Sequence, residues 1–329
     1  MNLKESKKPK LKLLKTDEHE FSRDCIDEFY TCIAGIEGER AVITKVGNLR
    51  IKVFFIGLFR RVVSFIQPKI SISFSKDINF SAQMGPDLKM CLPYFLYSTK
   101  NFIYMFDGWP RFHHELGKLF DLLSVKAIFF SSRDVVAKFR ANVHSKCKAY
   151  WIPEGINAIE YTFEDYQNKD IDVLEFGRAY KPYHDQIFES LAVRCKKHLF
   201  STTDQPILFK TKLAFKVALA QTKISICIPS NITHPARAED ISTMTLRYLQ
   251  CMASKCLILG IMPDEMNELF DYKPIIEIDM QNPGEQLLTI LDNYANYHDL
   301  IERNYLVVRE KHQWQNRWQQ IEYIISTSI

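Results

Sequence analysis

Glycine is scarce. Only 11 of the 329 residues are glycine, and none of them forms a G-x-G-x-x-G turn or a phosphate-cradling P-loop. That counts strongly against a dinucleotide-dependent oxidoreductase, which needs such a turn between a strand and the helix after it. Paired cysteines are missing too. The eight cysteines are scattered with no C-x-x-C spacing, so buried reduced thiols are expected rather than zinc sites or disulfides, and with them a cytoplasmic setting. No apolar run is long enough to cross a bilayer. The apolar stretch Leu11 to Leu14, behind a Lys-rich start, is too short for a secretory signal. Charge of one sign is also lacking: 43 Lys and Arg stand against 39 Asp and Glu, too mild a bias for a nucleic-acid binder.

What is present is a globular composition, 47% apolar and 25% charged, long enough for about two domains. Residues up to Lys15 are basic and are expected to fray. Beyond them helical and strand patterns alternate. Helices are expected over Phe21–Ala34, His113–Leu123 and Arg133–Asn142, with an amphipathic segment over Arg50–Ile66. Strands are expected over Lys69–Phe74, Asn101–Phe106, Ala127–Ser131 and Lys148–Ile152. A second series starts at Asp170, with strands at Asp172–Gly177, near Ile207, and at Lys223–Ile228, Cys256–Leu259 and Pro274–Ile278. Its helices are Tyr183–Lys197, Leu213–Gln221, one following Ser242, and Gly284–Tyr297. Such alternation indicates a parallel α/β architecture. The turn-rich joint near 153–170 divides it into twin Rossmann-like domains.

The most informative segment runs from Asp240 to Gly260. Ser242 reads as an N-cap. Leu246, Leu249, Met252 and Ala253 recur at helical spacing as a buried stripe, while Thr243, Arg247 and Gln250 share another face. The apolar run from Cys256 suits an interior parallel strand. Free N–H groups at a helix start, with an Arg one turn in, form an anion site. This segment resembles the sugar-nucleotide helix of glycosyltransferases with the GT-B fold, in the branch whose helix reads Arg-x-x-Glu-x-x-Ala-x-Gly. Arg247 and Ala253 match. Gln250 replaces the Glu and Lys255 the Gly, and Ser242 stands where other members carry a first Glu.

The resemblance implies two Rossmann-like domains: an acceptor-side domain over 1–155, a nucleotide-sugar domain over 156–305, and a final helix over 306–329 crossing back onto the first. The ending Trp314-Gln-Asn-Arg-Trp318 after His312 resembles the crossing helix of these enzymes, with Trp314, Trp318, Ile321 and Ile325 as its apolar stripe. Phe176-Gly177-Arg178 lies where a strand meets a helix, and by resemblance Arg178, Lys181 and Arg247 neutralise the donor diphosphate. Gly177, Ser230, Asn231, Thr233, Glu239, Ser242, Thr243 and Gln250 are the implied donor contacts. Asp107, after an N-domain strand, is the acceptor-side candidate: a general base if the enzyme inverts, a positioning group if it retains, the retaining class being the expectation. His113 and His114 are second choices there. They have no partner for a zinc site, and the resemblance implies no cofactor and no metal.

The implied activity is hexosyl transfer from a nucleotide-sugar to a saccharide or lipid-linked acceptor, as in bacterial surface polysaccharide or lipopolysaccharide assembly. The basic, Phe-rich stretch Ile51–Ile66 and the basic N-terminus suggest weak contact with anionic lipid at the inner membrane face. The missing acids at Ser242 and Gln250 keep a second reading open, a nucleotide-sugar-binding protein without transferase activity.

Overall fold

The computed structural model describes residues 9–16, 24–46, 75–86, 88–91, 94–95, 98–177, 179–202 and 207–328. The expected segments Arg50–Ile66 and Lys69–Phe74 lie outside them. The chain forms two compact units, one of Met1–Pro153 with Arg317–Ile329, the other of Glu154–Asn316.

The first unit is built on a six-stranded sheet, every pair of neighbours parallel, in the order β2-β1-β3-β4-β5-β6. Its strands are β1 (Leu11–Thr16), β2 (Ala41–Val46), β3 (Ile78–Gln83), β4 (Asn101–Met105), β5 (Val125–Phe130) and β6 (Lys148–Trp151). Helices α1 (Asp24–Glu37), α2 (His113–Leu122) and α3 (Arg133–Asn142) connect them. The expectation that the chain frays up to Lys15 is wrong for β1. Leu11, Leu13 and Leu14 are fully buried between β2 and β3. The lysines that gave the segment its tail-like look pair with acids, Lys12 with Asp77 and Lys15 with Asp27, each at 2.8 Å.

The second unit carries a five-stranded parallel sheet in the order β11-β10-β9-β7-β8. Its strands are β7 (Ile171–Leu174), β8 (His198–Leu199), β9 (Thr222–Cys227), β10 (Leu257–Gly260) and β11 (Ile276–Glu277). Its helices are α4 (Lys181–Val193), α5 (Lys212–Ala220), α6 (Ser230–Thr233), α7 (Pro235–Ala238), α8 (Leu246–Ala253), α9 (Met266–Leu269), α10 (Pro283–Asp292) and α11 (His298–Lys311). The strand expected near Ile207 falls earlier, at β8, and Ile207 is 67% exposed. Chain order runs from β7 out to the edge strand β8, then back across to β9. The switch point of this sheet is therefore the β7/β9 pair, and ligands of open parallel α/β sheets bind beyond the carboxyl ends of strands at such a point.

Two features hold this unit's geometry. Gly260 ends β10 against the backbone of β9. A Cβ there would overlap the Cys227 carbonyl oxygen and lie 2.8 Å from its carbon, and backbone cannot rotate away. Gly260→Ala should therefore cost about 3 kcal/mol, the upper part of the overpacking range, seen as a lowered urea midpoint. At the other end of the strands Lys169 is 2% exposed. Its ammonium donates to the carbonyl oxygens of Ala220, Thr222 and Ser254 at 2.9, 3.0 and 3.1 Å. Burial pulls its pKa down, and the three carbonyls are what make a buried ammonium tolerable.

The last helix, α12 (Trp314–Ser328), starts in the second unit, and its residues from Arg317 belong to the first. Trp314, Trp318, Ile321 and Ile325 are all buried, as their i, i+4 spacing leads one to expect. The Trp318 indole meets Phe29 and Phe80 edge-on, with ring centroids 6.5 and 5.3 Å away.

Candidate functional site

The carboxyl edge of the second sheet collects most of the implied donor residues. β7 ends in Glu175-Phe176-Gly177, with Gly177 at φ +77°, a conformation that L side chains rarely adopt. The guanidinium of Arg247, in the first turn of α8, lies over the Phe176 ring at 5.3 Å. It also lies so close to Gly177 that a Cβ there would run into its Nη2. Glycine is needed here both for the turn and for this approach. Among the described residues no carboxylate pairs with Arg247, so a half-buried cation is left over at the switch point. Arg178 lies outside the described residues. Lys181 opens α4, is 80% exposed, and is held by Asp185 at 2.7 Å.

Beyond β9 the chain forms α6 and α7. Ser230 and Thr233 lie on α6, half-buried, with the Thr233 hydroxyl turned back to the Pro229 carbonyl at 3.4 Å. The Oδ1 of Asn231 is buried and has no hydrogen-bond partner among the described residues. A buried acceptor left unpaired costs about 1–3 kcal/mol, and it suits a ligand that brings a donor. Glu239, exposed at the end of α7, has φ 54° and ψ −127°, a strained backbone for a side chain of this kind. Such strain concentrates at functional sites.

The start of α8 departs from expectation in two ways. Its N-cap is Thr245, not Ser242. Nor is its first N–H free for an anion. Leu246 N–H donates to Glu154 Oε2 at 2.7 Å, while Met244 N–H and the Thr243 hydroxyl both donate to Glu265 Oε1, at 2.6 and 2.7 Å. Both acids are buried and sit at the positive end of the helix dipole. Cap and anion are thus supplied by the protein from distant positions. Gln250 is also engaged: its Nε2 donates to the Tyr161 hydroxyl at 3.0 Å.

In the first unit Asp107 follows β4, half-buried. The neighbouring helix caps are Trp109 and Phe112, so Asp107 does not serve as their N-cap residue. His113 is a core histidine: buried, with Nε2 on the Gly108 carbonyl oxygen at 2.8 Å and its ring against Phe139 at 5.3 Å. His114 is exposed on α2.

Three groups of residues escaped the sequence reading. Glu154 and Glu265 are one. The second is a cluster at the β7 edge, where both His184 and His198 point a ring nitrogen at Glu175 Oε1, at 2.6 and 2.8 Å. Burial pushes Glu175 up, but the two hydrogen bonds outweigh it and hold the carboxyl below its usual range. The same bond to Glu175 raises His184. The third is an Asp-x-Asp triplet, Asp170-Ile171-Asp172, at the amino end of β7. Its carboxylates are matched by Lys197 at 2.6 Å and Lys223 at 2.7 Å, far along the strand from the carboxyl edge. Burial pushes the Cys256 thiol up to about 11 and Cys251 well up; burial pushes Cys227 up too, but the Cys251 hydrogen bond and the nearby Arg247 charge outweigh it and hold that thiol below its usual value.

No family model matches the chain, and no curated protein does. Solved structures do. HepE from Anabaena, in complex with UDP and glucose, matches over 97% of this chain and 100% of its own, with a TM-score of 0.58 at 10% identity. A glycosyltransferase from Rickettsia africae matches over 98% and 99%, with a TM-score of 0.59 at 10% identity. The sucrose-phosphate synthase of Thermosynechococcus elongatus matches over 97% and 99%, with a TM-score of 0.58 at 9% identity. At these identities the likeness is one of architecture, and the chain has the α/β GT-B fold of these proteins.

Proposed function

We propose that the protein transfers a sugar from a nucleotide-sugar donor, as a GT-B glycosyltransferase. The observation that carries the reading is the Arg247 guanidinium, set against Gly177 at the β7/β9 switch point with no carboxylate partner among the described residues. A developing diphosphate needs a fixed cation where water is scarce. HepE, which shares the fold over nearly the whole chain, was solved with UDP and glucose. In this reading Arg247 faces the diphosphate, Arg178 and Lys181 add charge, and Asn231 accepts from the donor. Thr243, Ser230, Thr233, Glu239 and Ser242 line the same edge. Lys181 must leave Asp185 to take part. Asp107 serves the acceptor, as base if the reaction inverts and as a positioning group if it retains. A saccharide or lipid-linked acceptor at the inner membrane face, in surface polysaccharide assembly, fits this role, and the residues here call for no metal in the transfer itself.

A second reading, donor binding without transfer, is favoured by one observation. Gln250, at the position of the missing acid, is spent on Tyr161. Thermal unfolding against UDP-, GDP-, CMP- and dTDP-sugars separates the cases. A donor at about 100 times its Kd adds about 2.7 kcal/mol, so one base class should raise the midpoint clearly. No shift with any donor overturns the proposal. A shift with no nucleotide release, even with acceptor mixtures present, selects the second reading.

A further inference from the structure

We propose that Glu175, His184 and His198 form a binding site for a transition-metal dication of the zinc class, which clips together the end of β7, the first turn of α4 and β8. The three residues come from three separate elements. Their ligand atoms, one carboxylate oxygen and two ring nitrogens, lie within 4.8 Å of one another.

Both imidazoles converge on the same oxygen, Glu175 Oε1. Two histidines recruited only as hydrogen-bond donors can spread over the two oxygens of a carboxylate. Here both ring nitrogens meet the same oxygen, which keeps the three possible ligand atoms within one small cluster. Ligands at about 2.0–2.1 Å from a tetrahedral zinc stand roughly 3.3 Å apart, so the nitrogen–oxygen gaps of 2.6 and 2.8 Å need open by about 0.7 and 0.5 Å to admit the ion. Two neutral imidazoles and one carboxylate carry a charge of −1, which a dication converts to +1. Nitrogen donors select zinc, cobalt or nickel, whereas calcium and magnesium take oxygen ligands.

The surroundings fit an ion as well. Phe200 packs against both imidazoles with ring centroids 4.7 Å away, and Phe188 against His184 at 5.9 Å. These rings give the cluster an apolar wall, which in metal sites limits water access. Glu175 and His198 are 5% and 6% exposed, while His184 keeps 17%. That leaves one side open for entry and for a water as fourth ligand. His198 Nδ1 is buried without a partner among the described residues. Among the described residues the hydrogen bond to Glu175 is thus the one polar contact of this ring, and a metal bond through Nε2 would fix it more firmly. The proposal is independent of the transferase reading, because its test reads metal content and not turnover.

The test uses the full chain, with any purification tag removed, stripped with a chelator and dialysed against zinc chloride. One zinc per chain should be retained. Cobalt in its place should give the visible absorption of a tetrahedral nitrogen–oxygen site without thiolate charge-transfer bands. Loss of an outer-shell partner alone weakens metal binding by 10- to 100-fold, so His184→Gln, which removes a ligand, should weaken zinc by at least about 10²-fold. It should also abolish the rise in unfolding midpoint that zinc gives the unaltered protein. Three results would overturn the proposal: no zinc retained by the unaltered chain, retention unchanged in His184→Gln, or a cobalt spectrum with thiolate bands, which would place the metal on cysteine. His184 is partly exposed, so its replacement should leave a folded chain. If it does not, the zinc stoichiometry and cobalt spectrum of the unaltered protein decide alone.

Discussion

Arg247→Ala should lower donor turnover by about 10²-fold or more, with the unfolding midpoint nearly unchanged. The size follows from what removing one preorganised charge stabiliser costs in other acyl- and group-transfer sites, about 2.7–4 kcal/mol. The fold should survive because Arg247 lies on the polar face of α8, while Leu249, Met252 and Ala253 hold the other side in the core. Arg247→Lys should fall between the two. A lysine restores the charge but not the planar fork that can lie over Phe176 and span two phosphate oxygens. Nucleotide release is the measurement, with donor-induced thermal shift run beside it. Normal turnover in both variants would move the diphosphate site away from Gly177.

Trp318→Ala should destabilise the first unit by about 4 kcal/mol, within the range for removing a large aromatic from a core. Trp318 is 1% exposed, lies edge-on to Phe29 and Phe80, and donates its indole N–H to Glu37 Oε1 at 2.6 Å. Truncation loses all three contacts and leaves a cavity. Tyr323→Ala, on the same helix but 71% exposed, is the control and should change little. Urea titrations of the two proteins make the comparison. Equal midpoints would mean that the last helix is dispensable to that core.

How much of this was readable beforehand depended on how local the cause was. Helix α3 comes residue for residue from its periodicity, and strand β9 almost so from a short apolar run that is buried on both faces. Strand β1 escaped because Lys12 and Lys15 flank its leucines, and the acids that match them, Asp77 and Asp27, are distant in sequence. The start of α8 was misplaced by three residues for a similar reason. Ser242 is a good local cap, but Glu154 and Glu265 do that work from 92 and 21 positions away. Strand β8, two residues long, is too short to leave a periodic trace. Arg247 and Gly177 were legible as a motif; that they touch was not. The Glu175 cluster draws its members from intervals of 9 and 14 residues with no known spacing rule; the pairing of β7 with β8 brings His198 to Glu175, and the first turn of α4 adds His184.

The buried ammonium of Lys169 behaves like a potassium ion that cannot dissociate. Its three carbonyl partners close α5, open β9 and follow α8, so it welds the amino-terminal corners of the second sheet into one rigid floor. Gly177 and Glu239 take positive φ at the opposite rim, and Cys195 and Lys255 do so on the floor side, in the loops that lead into β8 and β10. Replacing Lys169 with a residue that carries no donor would leave three carbonyl oxygens without the partner they share.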